Sequence, residues 1–379
     1  MLIGIAGCQS GEHRAVSRPA QGAFPAHVQW LLNTVPQVAP EDLMSAAGQT
    51  YMQQLPAVGR EDLKAAQTDW PLRPRLCEPL DDASQPIDAI VTAAQHTRIV
   101  IINEAHDRPR HRAFIRETAA ALRPLGYRRY AAETFSEAVS SRGDYRYPLI
   151  EQGHYVNEPV FGQLLRALLA LGYRFEPYEY TPNGEGLDAH ARASLREEGQ
   201  ARNLSRIVDS LDRDERLLIH VGFSHAAEVP IDSFGGKKLA WMASRLKDKT
   251  GTDPLTVDQT ACSLPESGPA LARSPKRHVP GQFDLVVGHR GLKFEEGRPV
   301  WRRQVGGRAV RVPPALLSAS ERVLIEARYA SEPPEEVPAD RLLLRPGEQL
   351  PLILLPAEYR ITAFFEHSRR VVTEPLTVN

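Results

Sequence analysis

The sequence predicts an α/β protein, a mainly parallel sheet with helices on both faces, followed by a small β-sandwich-like domain. Three observations carry this. Between residues 98 and 258, short strand-like runs (IVII at 99–102, YRRYAA at 127–132, LLIHV at 217–221, LTVD at 255–258) alternate with longer stretches of helical periodicity. Several of these runs close on an acid or a histidine. Beyond Arg290 the pattern changes to short strands separated by turn signals: Gly306-Gly307, Pro333-Pro334, Pro346-Gly347 and Pro356-Ala357.

At 379 residues the chain exceeds what one core usually serves, and 42% hydrophobic residues can fill a large one. Lys plus Arg (46) nearly balances Asp plus Glu (47), which leaves no basic excess to track a phosphate backbone and argues against a nucleic-acid partner. No apolar run is long enough to cross a membrane. The expected division is a leader-like segment and tether over residues 1–23, an α/β domain over 24–290 with a helical lead-in at 24–84, and a β-rich domain over 291–379.

The first eight residues, MLIGIAGC, end in a tetrapeptide that resembles a bacterial lipobox, with Cys8 as the lipidated residue and residues 9–21 as tether. No Lys or Arg precedes the apolar run, which is short for a secretory signal, so the alternative is that Cys8 is an ordinary buried thiol. On the lipobox reading the chain is anchored in the cell envelope by lipid on Cys8; Gln9 rather than Asp after the Cys points to the outer membrane, facing the periplasm. Cys77 and Cys262 are then the remaining cysteines in an oxidising compartment, able to pair if the fold brings them together. Neither has zinc-site spacing.

Residues 24–82 read as two or three helices broken at Pro36, Pro40, Pro56 and Pro71, with an apolar face (Leu43, Ala46, Ala47, Tyr51, Leu55) expected to pack on the sheet, and with Trp30 and Trp70 as packing anchors. The first strand, 99–102, is apolar throughout, as strands buried on both faces are, and delivers Glu104 and His106 at its carboxyl end. A helix over 109–122 follows, with Asp107 suited to its start and Pro109 to its first turn. Strand 127–132 closes on Glu133, helix 158–171 ends at Gly172, and strand 173–178 closes on Glu179. Helix 187–211 carries Arg196, Glu197, Gln200 and Asn203, and strand 217–221 ends in Gly222-Phe223-Ser224-His225. Then come helix 237–249, strand 255–258, a Pro- and Ser-rich lid or linker at 262–281, and a last strand at 283–287. In open α/β sheets, ligands bind beyond the carboxyl ends of the strands, so Glu104, His106, Glu133, Glu179 and His225 are expected to converge on one edge.

Together Glu104-x-His106-Asp107-x-Pro109-x-His111, Glu133, Arg196-Glu197 with Gln200-Ala201, and Gly222-x-x-His225 resemble the superfamily of Tiki proteases, erythromycin esterases and ChaN-like haem-binding lipoproteins, over residues 85–290. The first motif is closest to the ChaN-like branch. Asn103 stands where that family usually has Gly, Glu197 for a common Asp, and Gln200 for a common Met.

The resemblance implies hydrolysis of an ester, lactone or peptide bond. His106 would take a proton from water, Glu104 or Glu133 would hold its other nitrogen, Arg196 would stabilise the oxyanion, and His225 would be a second proton carrier or a substrate clamp. His111, Tyr145, Tyr178 and Glu179 are candidates for binding substrate or haem. Glu104, His106, Glu133 and His225 could alternatively hold a divalent metal. A competing reading is haem binding without turnover in iron uptake, with Tyr or His on the iron, Arg groups on the propionates, and Tyr145, Tyr147, Tyr155, Tyr178 and Tyr180 in the loops over the edge. A third is an envelope structural protein whose β-rich tail binds glycan. No GxSxG elbow or CxxH pair suggests a covalent nucleophile.

Overall fold

The structure, a computed structural model, describes residues 24–67, 74–80, 85–136, 139, 146–265 and 268–379. Cys8, Trp70 and Tyr145 lie outside these residues. The chain divides into two compact units, Leu72–Gly291 and Met1–Pro71 together with Leu292–Asn379.

The first unit is built on a sheet of nine strands among the described residues. In spatial order they are Arg75–Leu76, Cys262–Leu264, Leu285–Arg290, Leu255–Asp258, Ile99–Glu104, Arg216–Gly222, Tyr127–Ala132 and Arg174–Pro177, all parallel, with Ala270–Leu271 antiparallel on Leu285–Arg290. The Arg216–Gly222 strand enters late in sequence but sits between the strands that end in Glu104 and at Ala132, so its carboxyl end lies between Glu104 and Glu133.

Alternation along the strands sends side chains to two faces. Ile99, Ile101, Leu217, Ile219 and Val221 share a core with Leu204 and Val208 of the Ala189–Asp209 helix and with Met242 and Leu246 of the Met242–Thr250 helix. On the opposite face His220 stacks on Phe161 of the Pro159–Ala170 helix, and Glu104 meets Arg112 of the Pro109–Leu122 helix. Local chemistry sets the helix ends. Glu158 accepts from the backbone N–H groups of Val160 and Phe161, Asp188 accepts from that of Ala191, and Gly126 and Gly251 take the left-handed conformation after their helical segments. The residue that precedes the Pro109–Leu122 helix is Arg108, whose side chain makes no capping bond.

Residues 262–281 depart from the expected lid or linker. Two short strands within them join the sheet, and Cys262 forms a disulfide with Cys77 across a sequence separation of 185 residues, with Cα atoms 5.4 Å apart. The pairing that the sequence left open is made.

The second unit holds a four-stranded antiparallel sheet in the order Asp340–Leu344, Val323–Tyr329, Ala357–Phe365, Val371–Val378, beside an antiparallel pair, Arg308–Val310 with Leu352–Leu354. The amphipathic lead-in was expected to pack on the α/β sheet. Instead its helices belong to this unit: Arg60 donates to the Leu343 carbonyl at 3.2 Å and to Glu348 at 2.8 Å, and the Val58 carbonyl accepts from Leu343 N at 3.0 Å. An apolar helix face identifies that a partner exists without naming which sheet it is. No helix among the described residues is long and apolar enough to cross a membrane.

Candidate active site

The parallel sheet delivers its site residues at successive carboxyl ends. Glu104, the last residue of its strand, is 2% exposed and pairs with Arg112 through two bonds, Nε to Oε2 at 2.7 Å and Nη2 to Oε1 at 2.8 Å. Arg112 is itself fully buried and also reaches Glu158 at 2.9 Å, so the cation lies between two carboxylates. Burial alone would raise the Glu104 pKa, but the charge of Arg112 and the nearby His220 hold it well below the usual carboxylate range.

Glu104 Oε1 lies 3.0 Å from Nδ1 of His106. This decides which acid holds the imidazole: Glu104 does. An ionised carboxylate only accepts, so Nδ1 carries a proton, and in the neutral ring the lone pair is then on Nε2. The ring is fixed on two sides. Tyr155 stacks on it with centroids 4.1 Å apart, and Phe223 meets it edge-on at 5.3 Å. Beneath it lies Gly222, where an added Cβ would come within 2.4 Å of the imidazole Cε1, 2.5 Å of Nε2 and 3.1 Å of Glu133 Oε2. Glycine at this position lets the imidazole and the Glu133 carboxylate approach the same stretch of backbone.

Glu133 follows its strand directly. Its Oε2 accepts from Gly222 N at 2.6 Å and its Oε1 from Arg196 Nη2 at 2.6 Å. Arg196, one of the inward residues of the Ala189–Asp209 helix, also binds Glu179 through Nε at 3.0 Å and Nη2 at 2.5 Å, while Gln200 donates to Glu179 at 3.0 Å. His225, after the Arg216–Gly222 strand, is held by Glu197 through Nδ1 at 2.8 Å, and the same Glu197 oxygen accepts from Met242 N. Its Nε2 stands 3.2 Å from Arg196 Nη1 and 3.4 Å from Glu133 Oε1. Burial disfavours the imidazolium, yet Glu197 and Glu133 outweigh it and raise the His225 pKa. The neutral ring accepts from Arg196; the protonated ring donates to Glu133.

Glu104, His106, Glu133, Glu179, Arg196 and His225 thus form one continuous cluster. Arg196 departs from its expected role. With two carboxylates on its guanidinium and its remaining edge at His225, it is the hub that fixes the cluster rather than a cation free to meet an oxyanion. Two other candidates lie elsewhere. His111 is 1% exposed, its Nδ1 accepts from Ala105 N at 3.0 Å and its ring stacks on His289, with a pKa driven well down chiefly by burial. Tyr178 is 1% exposed in the core and its hydroxyl donates to the His220 carbonyl at 3.3 Å, with burial raising its pKa. Neither is placed to touch a ligand.

The groups that sequence reasoning missed are Arg112, Glu158, His220 and Tyr130. Tyr130 OH lies 2.7 Å from His220 Nδ1, and His220 Nε2 lies 3.1 Å from Glu104 Oε2 in a contact too poorly aligned to count as a hydrogen bond. A histidine within the apolar run LLIHV was the available signal for that pair, and an acid before Pro159 was the signal for Glu158. Nothing in the sequence marks Arg112.

The proposed metal set does not fit a resident ion. Both Glu104 oxygens are committed to Arg112, Glu133 is committed to Arg196 and Gly222, and among the described residues no group of three or more His, Cys, Asp or Glu side chains is arranged to hold a metal. Haem fits no better through Tyr178 as iron ligand or Arg196 as propionate clamp, since the first is buried and the second is already doubly paired.

No protein-family model matches the chain, and no curated protein does. Among solved structures it is similar to RRSP, a MARTX toxin effector domain from Vibrio vulnificus CMCP6 (17% identity, 57% of this chain and 49% of that one, TM-score 0.33). It is also similar to the type III effector HopBA1 (14% identity, 56% and 96%, TM-score 0.35) and to ChaN of Campylobacter jejuni, described with cofacial heme binding (10% identity, 54% and 92%, TM-score 0.35). The chain covers 40% and 36% of two bacterial protein toxins it also matches. These likenesses are distant.

Proposed function

We propose that the chain is a hydrolase that cleaves an ester, lactone or peptide bond with water activated by His106. The observation that carries this reading is the oriented pair: a buried, ionised Glu104 on Nδ1 of His106, with Nε2 facing the Gly222–Glu133 side of the site. His106 Nε2 takes a proton from water as its oxygen attacks the carbonyl carbon. His225, whose pKa is raised by Glu197 and Glu133, gives a proton to the leaving group from Nε2. Arg196 holds Glu133 and Glu179 in place around both. The Cys77–Cys262 disulfide supports an oxidising compartment for this chemistry, in keeping with a cell-envelope protein tethered through lipid on Cys8.

The test is turnover of a panel of esters, lactones and peptides by the full chain and by His106→Ala, with haem titration in parallel. Loss of turnover by a factor of about 10² or more in a folded His106→Ala chain is expected. A Soret band in place of any turnover would replace the hydrolase reading with haem binding.

A further inference from the structure

Asn103 departs from the family pattern that the sequence resembles, and the structure gives it a task. It lies in the extended Ile99–Glu104 strand, is 0% exposed, and does not have the positive φ that a glycine would allow. Its carboxamide makes bonds in three directions. Nδ2 donates to the Phe223 carbonyl at 2.9 Å and to Asp258 Oδ1 at 2.7 Å, while Oδ1 accepts from Gln259 N at 2.8 Å. A backbone N–H can only donate, so the bond from Gln259 fixes which end of the amide is oxygen and directs the NH₂ group at Phe223. Asp258 is itself held, accepting from Thr260 N at 2.9 Å and Thr260 Oγ1 at 2.7 Å, so the anchor behind Asn103 is rigid.

Phe223 sits at φ 39°, in the left-handed region that bulky residues avoid. The turn it makes determines three features of the site at once. The preceding Gly222 passes under His106 and donates to Glu133, the Phe223 ring closes one side of His106, and His225 follows two residues on. Relaxation of Phe223 to an ordinary negative φ would move all three.

We propose that Asn103 is a positioning residue that holds the Gly222–Phe223 turn in its unfavourable conformation, and through it His106, Glu133 and His225 in working register. Being fully buried, Asn103 acts without touching substrate. The proposal deepens the hydrolase reading and rests on it for its kinetic consequences, while its structural content stands apart.

A double-mutant cycle of Asn103→Ala with Phe223→Gly tests it, because glycine adopts positive φ without restraint. Asn103→Ala alone is expected to lower kcat by about tenfold to a hundredfold, as small misplacements of reacting groups do, with KM within about threefold. In the Phe223→Gly background the same substitution is expected to cost less than about threefold. Equal losses in both backgrounds would reduce Asn103 to a tie between strands and overturn the proposal. Asn103→Ser, which puts a single short hydroxyl in place of the carboxamide, replaces the alanine variant if the alanine chain does not fold. Should the wild-type chain turn over nothing in the panel, the hydrolase reading fails separately, and the imidazole NMR signals of His106, assigned with His106→Gln, decide the positioning claim. A shift caused by Asn103→Ala that vanishes in the Phe223→Gly background supports it; no shift, or the same shift in both, overturns it.

Discussion

Arg112 shows how much of the site depends on one side chain that performs no chemistry. Its guanidinium is fully buried and carries two bonds to Glu104, one to Glu158 and one to the His106 carbonyl at 2.8 Å. Replacing such a pair with apolar groups can be neutral, but removing one partner leaves the other charge buried and alone. Arg112→Ala is therefore expected to destabilise the chain by about 3–5 kcal/mol, measured by urea unfolding, whereas the joint replacement Arg112→Met with Glu104→Gln is expected to cost less than the single change. Additive costs would show that the pair is not coupled. The residue scale is also where the sequence was least legible. The acids and histidines after the strands could be read because strand ends follow from hydrophobic runs. Arg112 could not, because its partner is set by the angle at which the Pro109–Leu122 helix crosses the sheet, and no local pattern encodes that angle.

The Ala189–Asp209 helix supplies Arg196, Glu197 and Gln200, consecutive and one-turn neighbours that point to one side. Glu197 orients His225 while its neighbour fixes Glu133 and Glu179, so this single element sets both the acid and the frame around it. The pH dependence follows from the His225 shift. The folded pKa lies above the ordinary value of 6.5, so the stabilisation His225 confers is fully present below about 6.5 and is lost as pH rises through the folded value. Glu197→Gln lowers that pKa. The melting temperature of the wild type relative to Glu197→Gln is expected to fall across this window, and the basic limb of kcat/KM to move to lower pH in the variant. A constant difference between the two chains from acid to alkaline pH would contradict the assignment. Strands and helices of this unit were legible because the alternation of apolar runs with capped helices is local. The Tyr127–Ala132 strand appears in full in the sequence, and the Pro109–Leu122 helix begins at the proline that predicts it. The strands within residues 262–281 were not, since Cys262–Leu264 and Ala270–Leu271 are short, sit among prolines and serines, and are strands only because Leu285–Arg290 pairs with both.

The candidate site lies within one unit, and that unit is tied covalently. The Cys77–Cys262 disulfide joins the Arg75–Leu76 end of the sheet region to its Cys262–Leu264 strand, closing a loop of 185 residues. Such a crosslink restricts the unfolded chain, and Cys77→Ser with Cys262→Ser is expected to lower stability by about 2–5 kcal/mol. Equal melting with and without reductant would count against the bond. The sequence read fold class correctly but grouped the amino-terminal helices with the wrong sheet, because long-range partners such as Arg60 with Leu343 and Glu348 have no signature in local periodicity. It did bring together most of the residues of the candidate site. Glu104, His106, Glu133, Glu179 and His225 follow strand ends, and parallel topology is enough to predict that they meet, whereas Arg196 lies within a helix and was indicated by the family resemblance.

The proposed hydrolysis depends on water activation by His106, oriented by Glu104. Turnover of esters, lactones and peptides by the wild-type chain and by His106→Ala, each checked for folding by circular dichroism, tests it most directly. The expected result is measurable hydrolysis of at least one substrate class, reduced by a factor of about 10² or more in the variant. Hydrolysis that persists unchanged in folded His106→Ala would contradict the account.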